Sequence, residues 1–375
     1  MSWETIPLGE FLTLKRGYDL PSLRRQDGTV PVVSSSGITG HHNVAKVEGP
    51  GVVTGRCGTL GEVFFVQEDF WPLNTALYVQ DFKGNAPRFS AYFLKCVLSG
   101  TLSDKSAVPC VNRNDLHDRK VTVTRNYGQQ RAIVDILSAY DDLIENNRRR
   151  MALLEEAARL LYQEWFVHLR FPGYERTRII DGVPEGWECV PAVEAICINP
   201  TIRLSDEKEH WWVEMSDLTT ESMVIQKAIK RDGRSGSKFC NGDTLFARIT
   251  PCLENGKTGF ANFMADNEVG RGSTEFIVLR SKRVTPEYVY CLARTYDFRE
   301  NAIKSMIGSS GRQRVQVSCF GKYMVWIPSR TILDLFRDFT EPAFEQIKTI
   351  DLQNQKLRSA RDLLLPRLIS GEIAV

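Results

Sequence analysis

Two stretches of this 375-residue chain carry the same apolar period 203 positions apart, and that repeat limits what the chain can fold into. In the first, Leu137, Tyr140, Ile144, Asn147, Met151, Leu154, Ala158, Leu161 and Trp165 recur at alternating steps of three and four. That is a heptad seam, the pattern of a helix lying along another helix. Adding 203 to each number gives Thr340, Ala343, Ile347, Ile350, Asn354, Leu357, Arg361, Leu364 and Leu368, a seam weakened by Asn354 and Arg361. Leu154-Glu-Glu-Ala157 with Leu160-Leu161 lies over Leu357-Arg-Ser-Ala360 with Leu363-Leu364. The competing reading is two unrelated amphipathic helices, each packed on its own domain. Length argues against it: a helix from about Gln129 to about Leu169 spans roughly 60 Å at ~1.5 Å per residue. A compact domain does not cover one side of so long a rod, and the other helix is the nearest candidate.

Each long helix follows a mixed segment that reads as α+β. In the first, Val30–Val33, Gly51–Thr54, Glu62–Val66 and Thr75–Val79 are short strands between Gly, Ser and Asn turns. Phe89–Leu98 reads as a helix and Lys120–Thr124 as a closing strand. The second segment repeats the order, with strands at Trp211–Val213, Thr244–Ala247, Thr258–Ala261 and Glu275–Leu279 and a helix over Glu287–Ile303. Lys322–Ile327 leads into the final helix, and Pro172-Gly173 with Pro184-Glu-Gly-Trp187 punctuates the boundary between halves. The chain is a tandem repeat of one globular unit plus one helix.

Catalytic machinery is hard to find. No G-x-S-x-G elbow, Walker loop or G-x-G-x-x-G turn occurs. Gly55-Arg-Cys-Gly-Thr-Leu-Gly61 is glycine-rich but lacks the lysine of a phosphate loop, and Asn199-Pro-Thr falls short of an amino-methyltransferase motif. The acid-x-Lys fragments Asp81-Phe-Lys83 and Asp206-Glu-Lys208 have no clear partner carboxylate, and the adjacent His41 and His42 point in different directions along a chain. The nine cysteines include no C-x-x-C pair, which argues against structural zinc and for reduced thiols. No signal peptide opens the sequence, and no apolar run approaches the ~18 residues that span a bilayer, so a cytoplasmic protein is expected. A formal net charge of +2 excludes a wholly basic DNA-coating protein but not local basic faces.

Basic and amide-bearing loops do recur. The first unit has Arg56 after an apolar strand, then Lys105, Asn112 and Arg113. The second has Arg248 after an apolar strand, then Asn255, Lys257, Arg271, Ser273, Thr274, Arg312, Gln313 and Arg314. Arg, Asn and Gln can make paired hydrogen bonds to base edges, while Lys, Ser and Thr suit phosphates. A solvated surface charge is the alternative for each residue alone; recurrence at matching places favours DNA.

Gly242-Asp-Thr-Leu-Phe-Ala-Arg-Ile-Thr-Pro-Cys-Leu-Glu-Asn-Gly-Lys257, Gly272-Ser-Thr-Glu-Phe276, Leu357–Gly371 and Gln129–Leu137 resemble stretches of the specificity subunit of type I restriction–modification enzymes. Leu8-Gly9 and Gly55-Arg-Cys-Gly58 match more loosely, and Asn126-Tyr-Gly128 stands where the family often has a proline. The resemblance implies two target-recognition domains, over residues 1–126 and 171–331, with conserved spacer helices over 127–170 and 332–375. The helices would pair antiparallel as a coiled coil with a pseudo-two-fold internal repeat, through Leu137, Tyr140, Ile144, Met151, Leu154, Leu161, Ala343, Ile347, Ile350, Leu357, Leu364 and Leu368. The implied function is non-catalytic recognition of double-stranded DNA at a bipartite site. Two methyltransferase subunits, and restriction subunits in the full complex, would be its partners and would hold S-adenosylmethionine, Mg²⁺ and ATP. A nuclease or methyltransferase with a divergent site, and a coiled-coil protein with no nucleic-acid role, are the rival readings.

Overall fold

The structure, a computed structural model, describes residues 3–57, 61–99, 111–203, 209–233, 235–309 and 311–375. It forms two compact units, Met1–Ile144 with Lys356–Val375, and Glu145–Gln355, so the cut falls inside both long helices.

In the first unit a four-stranded antiparallel sheet orders Thr13–Arg16, Ala76–Asp81, Gly51–Gly55 and Val63–Val66. Successive side chains of a strand face opposite ways. Val52 and Leu77 therefore enter one core, with Phe11, Phe89 and Phe93, while Val53 and Tyr78 enter another, with Val33 and Phe70. Burial on both faces explains why Gly51–Gly55 reads as a continuous apolar run rather than an alternation. Beside this sheet, Val30–Ser34 pairs with Gly37–His42 and, in parallel, with Trp71–Pro72. Trp3–Pro7 pairs with Lys120–Thr124.

The second unit repeats this frame. Its sheet orders Ile196–Ile198, Phe276–Ser281, Thr244–Ala247 and Thr258–Phe260, and Leu245 and Phe246 again enter different cores. Glu209–Val213 pairs with Ile229–Asp232 and, in parallel, with Gly270–Gly272, while Glu188–Pro191 pairs with Met324–Ile327. The single helix expected over Glu287–Ile303 is two, Pro286–Ala293 and Tyr296–Lys304. The break has a local cause. The Thr295 hydroxyl accepts from the Phe298 amide and starts a new helix, as Thr285 does for Tyr288.

The central helix runs Tyr127–Tyr162 and continues through a wider π turn at Gln163–Val167; the C-terminal helix runs Arg330–Ile369. In the first unit Ile133 and Leu137 share a core with Leu365, Leu368 and Ile369, and Arg361 Nη1 donates to Asp141 Oδ1 at 2.5 Å. In the second, Asn147 Nδ2 donates to Asn354 Oδ1 at 3.0 Å, and farther along Tyr162, Trp165 and Phe166 surround Phe336. Within that unit the two segments run in opposite directions. Asn354 and Arg361, expected only to weaken the seam, instead each meet a polar partner on the facing segment.

Among the described residues no helix is long and apolar enough to cross a membrane. Cys57 is disulfide-bonded, contrary to the expectation of reduced thiols throughout, and seven other described cysteines are free.

Candidate nucleic-acid interface

In the first unit, strand ends and one short helix bring basic side chains together. Gly55 closes a central strand, and the next residue, Arg56, is held by its backbone: its N–H donates to Thr75 O at 2.9 Å, and its carbonyl accepts from Val111 N–H at 2.8 Å. Arg16 ends the edge strand opposite Leu77. Asn112 caps the helix Arg113–His117, its side-chain oxygen accepting from the Asn114 amide at 3.0 Å. These elements border an open cavity of about 400 Å³ lined by Arg16, Arg56, Leu77, Val111, Asn112, Arg113 and Asn114. Three guanidinium groups and two amides thus converge. Among the described residues none of the three arginines makes an ion pair; Arg56 donates to Asn74 O and Arg113 to Asn114 Oδ1. Next to them, burial first and then the nearby Arg113 and Lys83 hold His117 below the usual imidazole range, and its Nε2 accepts from Leu14 N–H at 2.9 Å. The bond from the Leu14 amide ties His117, and with it the short helix, to the edge strand.

The second unit builds the equivalent place differently. Arg248 follows its central strand, its N–H donating to Glu275 O at 2.9 Å and its carbonyl accepting from Val315 N–H at 3.0 Å. Gln313 and Thr250 exchange backbone and hydroxyl bonds. Arg314 lies against Glu275, with Nε donating to both carboxylate oxygens at 3.0 and 2.9 Å and Nη2 to Oε1 at 2.6 Å. That fork, with Arg248 adding to it, holds the Glu275 carboxyl below its ordinary range despite partial burial. Ser273 Oγ accepts from the Glu275 amide at 3.2 Å. Arg248, Ser273, Gln313 and Arg314 are therefore one cluster.

The other sequence candidates fall elsewhere. Arg271 was grouped with polar loops, but it sits inside the strand Gly270–Gly272, flanked by Glu209–Val213 and Ser237–Phe239, and is only 6% exposed. Among the described residues its Nε and Nη1 have no hydrogen-bond partner. Lys257 is committed to Met215 O at 2.8 Å, so it is not an open loop cation. Asn255, Thr274 and Arg312 are exposed. Lys105, Gly58, Asp206 and Lys208 lie outside the described residues. Asp81 and Lys83 form a local turn, with Lys83 N–H donating to Asp81 Oδ1. His42 is buried, its Nδ1 accepting from Gln26 N–H at 3.0 Å. No group of three or more metal-ligating side chains occurs among the described residues.

Sequence reasoning missed Arg16, Asn114 and Glu275. Glu275 was visible inside Gly272-Ser-Thr-Glu-Phe276, a lone acid among basic candidates; Arg16 had no signal, because its strand was not recognised.

Of the seam residues, Leu137, Ile144, Met151, Ile347, Ile350 and Leu368 are buried, and Tyr140, Leu154, Leu161, Ala343, Leu357 and Leu364 are half-buried.

Residues 1–156 match the sequence model of the type I restriction modification DNA specificity domain. The type I restriction enzyme EcoEI specificity subunit of Escherichia coli is 32% identical over 156 residues, 40% of this chain and 26% of that protein. The type I restriction enzyme MjaIX specificity subunit of Methanocaldococcus jannaschii is 24% identical over 268 residues, 66% of this chain and 59% of that protein. The matches thus cover less than two thirds of either relative. Among solved structures, the type I restriction–modification system S subunit from M. genitalium aligns with a TM-score of 0.59 at 14% identity, covering 98% of this chain and 96% of that one. That likeness is one of fold: mixed α and β units with a long central and a long C-terminal helix.

Proposed function

We propose that this chain is the DNA-specificity subunit of a type I restriction–modification assembly and makes and breaks no bonds itself. Each globular part reads one half of a bipartite site in double-stranded DNA. The two long helices, paired antiparallel as a coiled coil, set the gap, about one helical turn or ~34 Å. The same helices offer similar surfaces to two methyltransferase subunits, with restriction subunits joining the full complex. S-adenosylmethionine, Mg²⁺ and ATP belong to those partners, and the setting is the cytoplasm.

The observation that carries this reading is the cavity formed by Arg16, Arg56, Asn112, Arg113 and Asn114. Guanidinium groups without ion pairs, beside amides that both donate and accept, suit phosphates and base edges together. An enzyme's site would need a nucleophile, an acid–base pair or a metal there instead, and the lining residues supply none of these.

The experiment is binding by the full chain, assembled with its methyltransferase subunits, to a duplex found by mapping methylated adenines in host DNA. Arg56→Ala and Arg113→Ala should each weaken binding. At a phosphate contact the slope of log K against log salt becomes shallower by about one; at a base contact the preference in one half-site relaxes instead. Binding that keeps its strength, slope and preference in both variants refutes the assignment, as does S-adenosylmethionine binding by the isolated chain.

A further inference from the structure

Glu275 does something in the second unit that nothing among the described residues does in the first. The two frames correspond at the arginine's backbone: Arg56 N–H donates to Thr75 O, and Arg248 N–H donates to Glu275 O, both at 2.9 Å. A neutral, exposed threonine therefore stands where the second unit has a carboxylate. That carboxylate takes both Nε and Nη2 of Arg314. The backbones on either side are fixed as well. Arg314 exchanges N–H and carbonyl bonds with Ile307 at 3.0 and 3.1 Å, and the Glu275 amide is tied to Ser273 Oγ.

We propose that Glu275 is a positioning residue that holds Arg314 as a reader of guanine in the second half-site. The inference rests on the reading of this unit as a DNA-recognition domain. A guanidinium has five N–H donors in one plane. With the Nε edge occupied by Glu275, the Nη1–Nη2 end remains, and Nη1 makes no hydrogen bond among the described residues. The side chain is 43% exposed, so that end is accessible. Two parallel donors at a fixed angle match the O6 and N7 acceptors of guanine in the major groove. A phosphate is the poorer match, because the Glu275–Arg314 pair carries no net charge and attracts an anion weakly. What survives neutralisation is directional hydrogen bonding, which a base edge uses. The cavity arginines Arg16, Arg56 and Arg113 of the first unit, which make no ion pair among the described residues, keep their full charge and differ in kind.

The full chain is incubated with a randomised duplex library, bound sequences are read, and affinity for the enriched duplex is followed against salt and pH. Wild type should enrich a guanine at one position of one half-site. Glu275→Gln should lower preference for that guanine about tenfold and leave the other half-site alone, and because it leaves Arg314 with a net charge it should not make the salt slope shallower. Arg314→Lys should lose the guanine preference with little change in slope. Acidification that protonates the Glu275 carboxyl should reproduce the Gln phenotype in wild type, and Glu275→Gln should lack that pH response. An unchanged guanine preference in Glu275→Gln overturns the proposal, and so does a slope shallower by about one in Arg314→Ala, which marks a phosphate contact. No enrichment by wild type overturns the DNA reading itself, a distinct failure.

Discussion

Removing the Glu155 carboxylate should destabilise the second unit by several kcal/mol, on the order of breaking a buried ion pair. Glu155 is 3% exposed. Tyr290 Oη donates to its Oε1 at 2.6 Å, Met223 N–H donates to its Oε2 at 2.7 Å, and Arg294 Nε lies 4.0 Å from Oε1. Burial, the largest cause, with Glu155 beside it, holds the Tyr290 hydroxyl well above the usual phenol range, so it remains a donor. Glu155→Ala leaves a buried amide and a buried hydroxyl without their shared acceptor and takes the counter-charge from Arg294, whose guanidinium keeps its bonds to Gly256 O and Thr220 O. Breaking one side of a buried ion pair costs about 3–5 kcal/mol, and because the Arg294 contact is long and its guanidinium keeps two acceptors, the loss should lie toward the lower part of that range. Glu155→Gln retains one acceptor oxygen and the volume, and should lose about 1–3 kcal/mol. Urea denaturation gives the global number. Hydrogen exchange at the Met223 amide assigns it to this unit, since a chain of two units need not unfold in one step. A loss under about 1 kcal/mol for Ala, or equal losses for Ala and Gln, would show that the carboxylate is not the tie between helix and head.

The buried amide pair should behave as a register device. Asn147→Leu or Asn354→Leu alone strands the other amide and should cost about 1–3 kcal/mol, whereas the double variant should recover most of that. On the spacer reading, the double variant should also accept sites with an altered gap, which mapping of methylated adenines would detect; additive losses, or an unaltered gap preference, count against the pair as a pin. Glu268 gives a pH prediction. Its carboxyl is lowered from 4.5 to about 2, first by Lys230, then by the Ala265 amide and Trp211. Because the folded value is the depressed one, this contribution is complete above pH 4.5 and fades as pH falls toward 2. Glu268→Gln should therefore narrow its stability gap to wild type across that window in acid denaturation curves, and a constant gap would refute the linkage.

Much of the frame could be read from local pattern. Val30–Ser34, Gly51–Gly55 and Lys120–Thr124 are apolar or β-branched runs between turn residues, and each is a strand. Gly270–Gly272 was not readable, because Gly-Arg-Gly has no strand preference of its own. Flanking strands on both sides impose the conformation, the commonest way tertiary context overrides sequence. The helix break at Arg294–Thr295 was hidden for another reason: no Pro or Gly marks it, and a threonine cap looks like any threonine until its hydroxyl is placed. Polar partners were hidden by distance. Asn147 finds Asn354 across 207 positions and Asp141 finds Arg361 across 220, so each looked like a flaw in its own seam. Arg314 and Glu275 were both visible as residue types, but 39 positions separate them and no period connects them.

The backbone ties around Arg56 and Arg248 bear on how one frame can read two sequences. In both units the arginine's N–H and carbonyl are consumed by main-chain partners, so loop geometry is fixed without any side chain. The following residues, Ala76 and Phe276, are buried and serve the cores. Between these constraints, positions 75 and 275 have their carbonyls committed to the frame, while their side chains lie outside the cores. A threonine there offers no charge to Arg16, Arg56 and Arg113, which make no ion pair among the described residues, while a glutamate converts its neighbour into a neutral, oriented fork. On the proposed function the first unit therefore supplies the larger share of salt-sensitive attraction, and the second a larger share of base discrimination. A duplicated fold with unequal side chains at this position predicts unequal half-sites, because identical halves would require the same charge and the same donors at both ends.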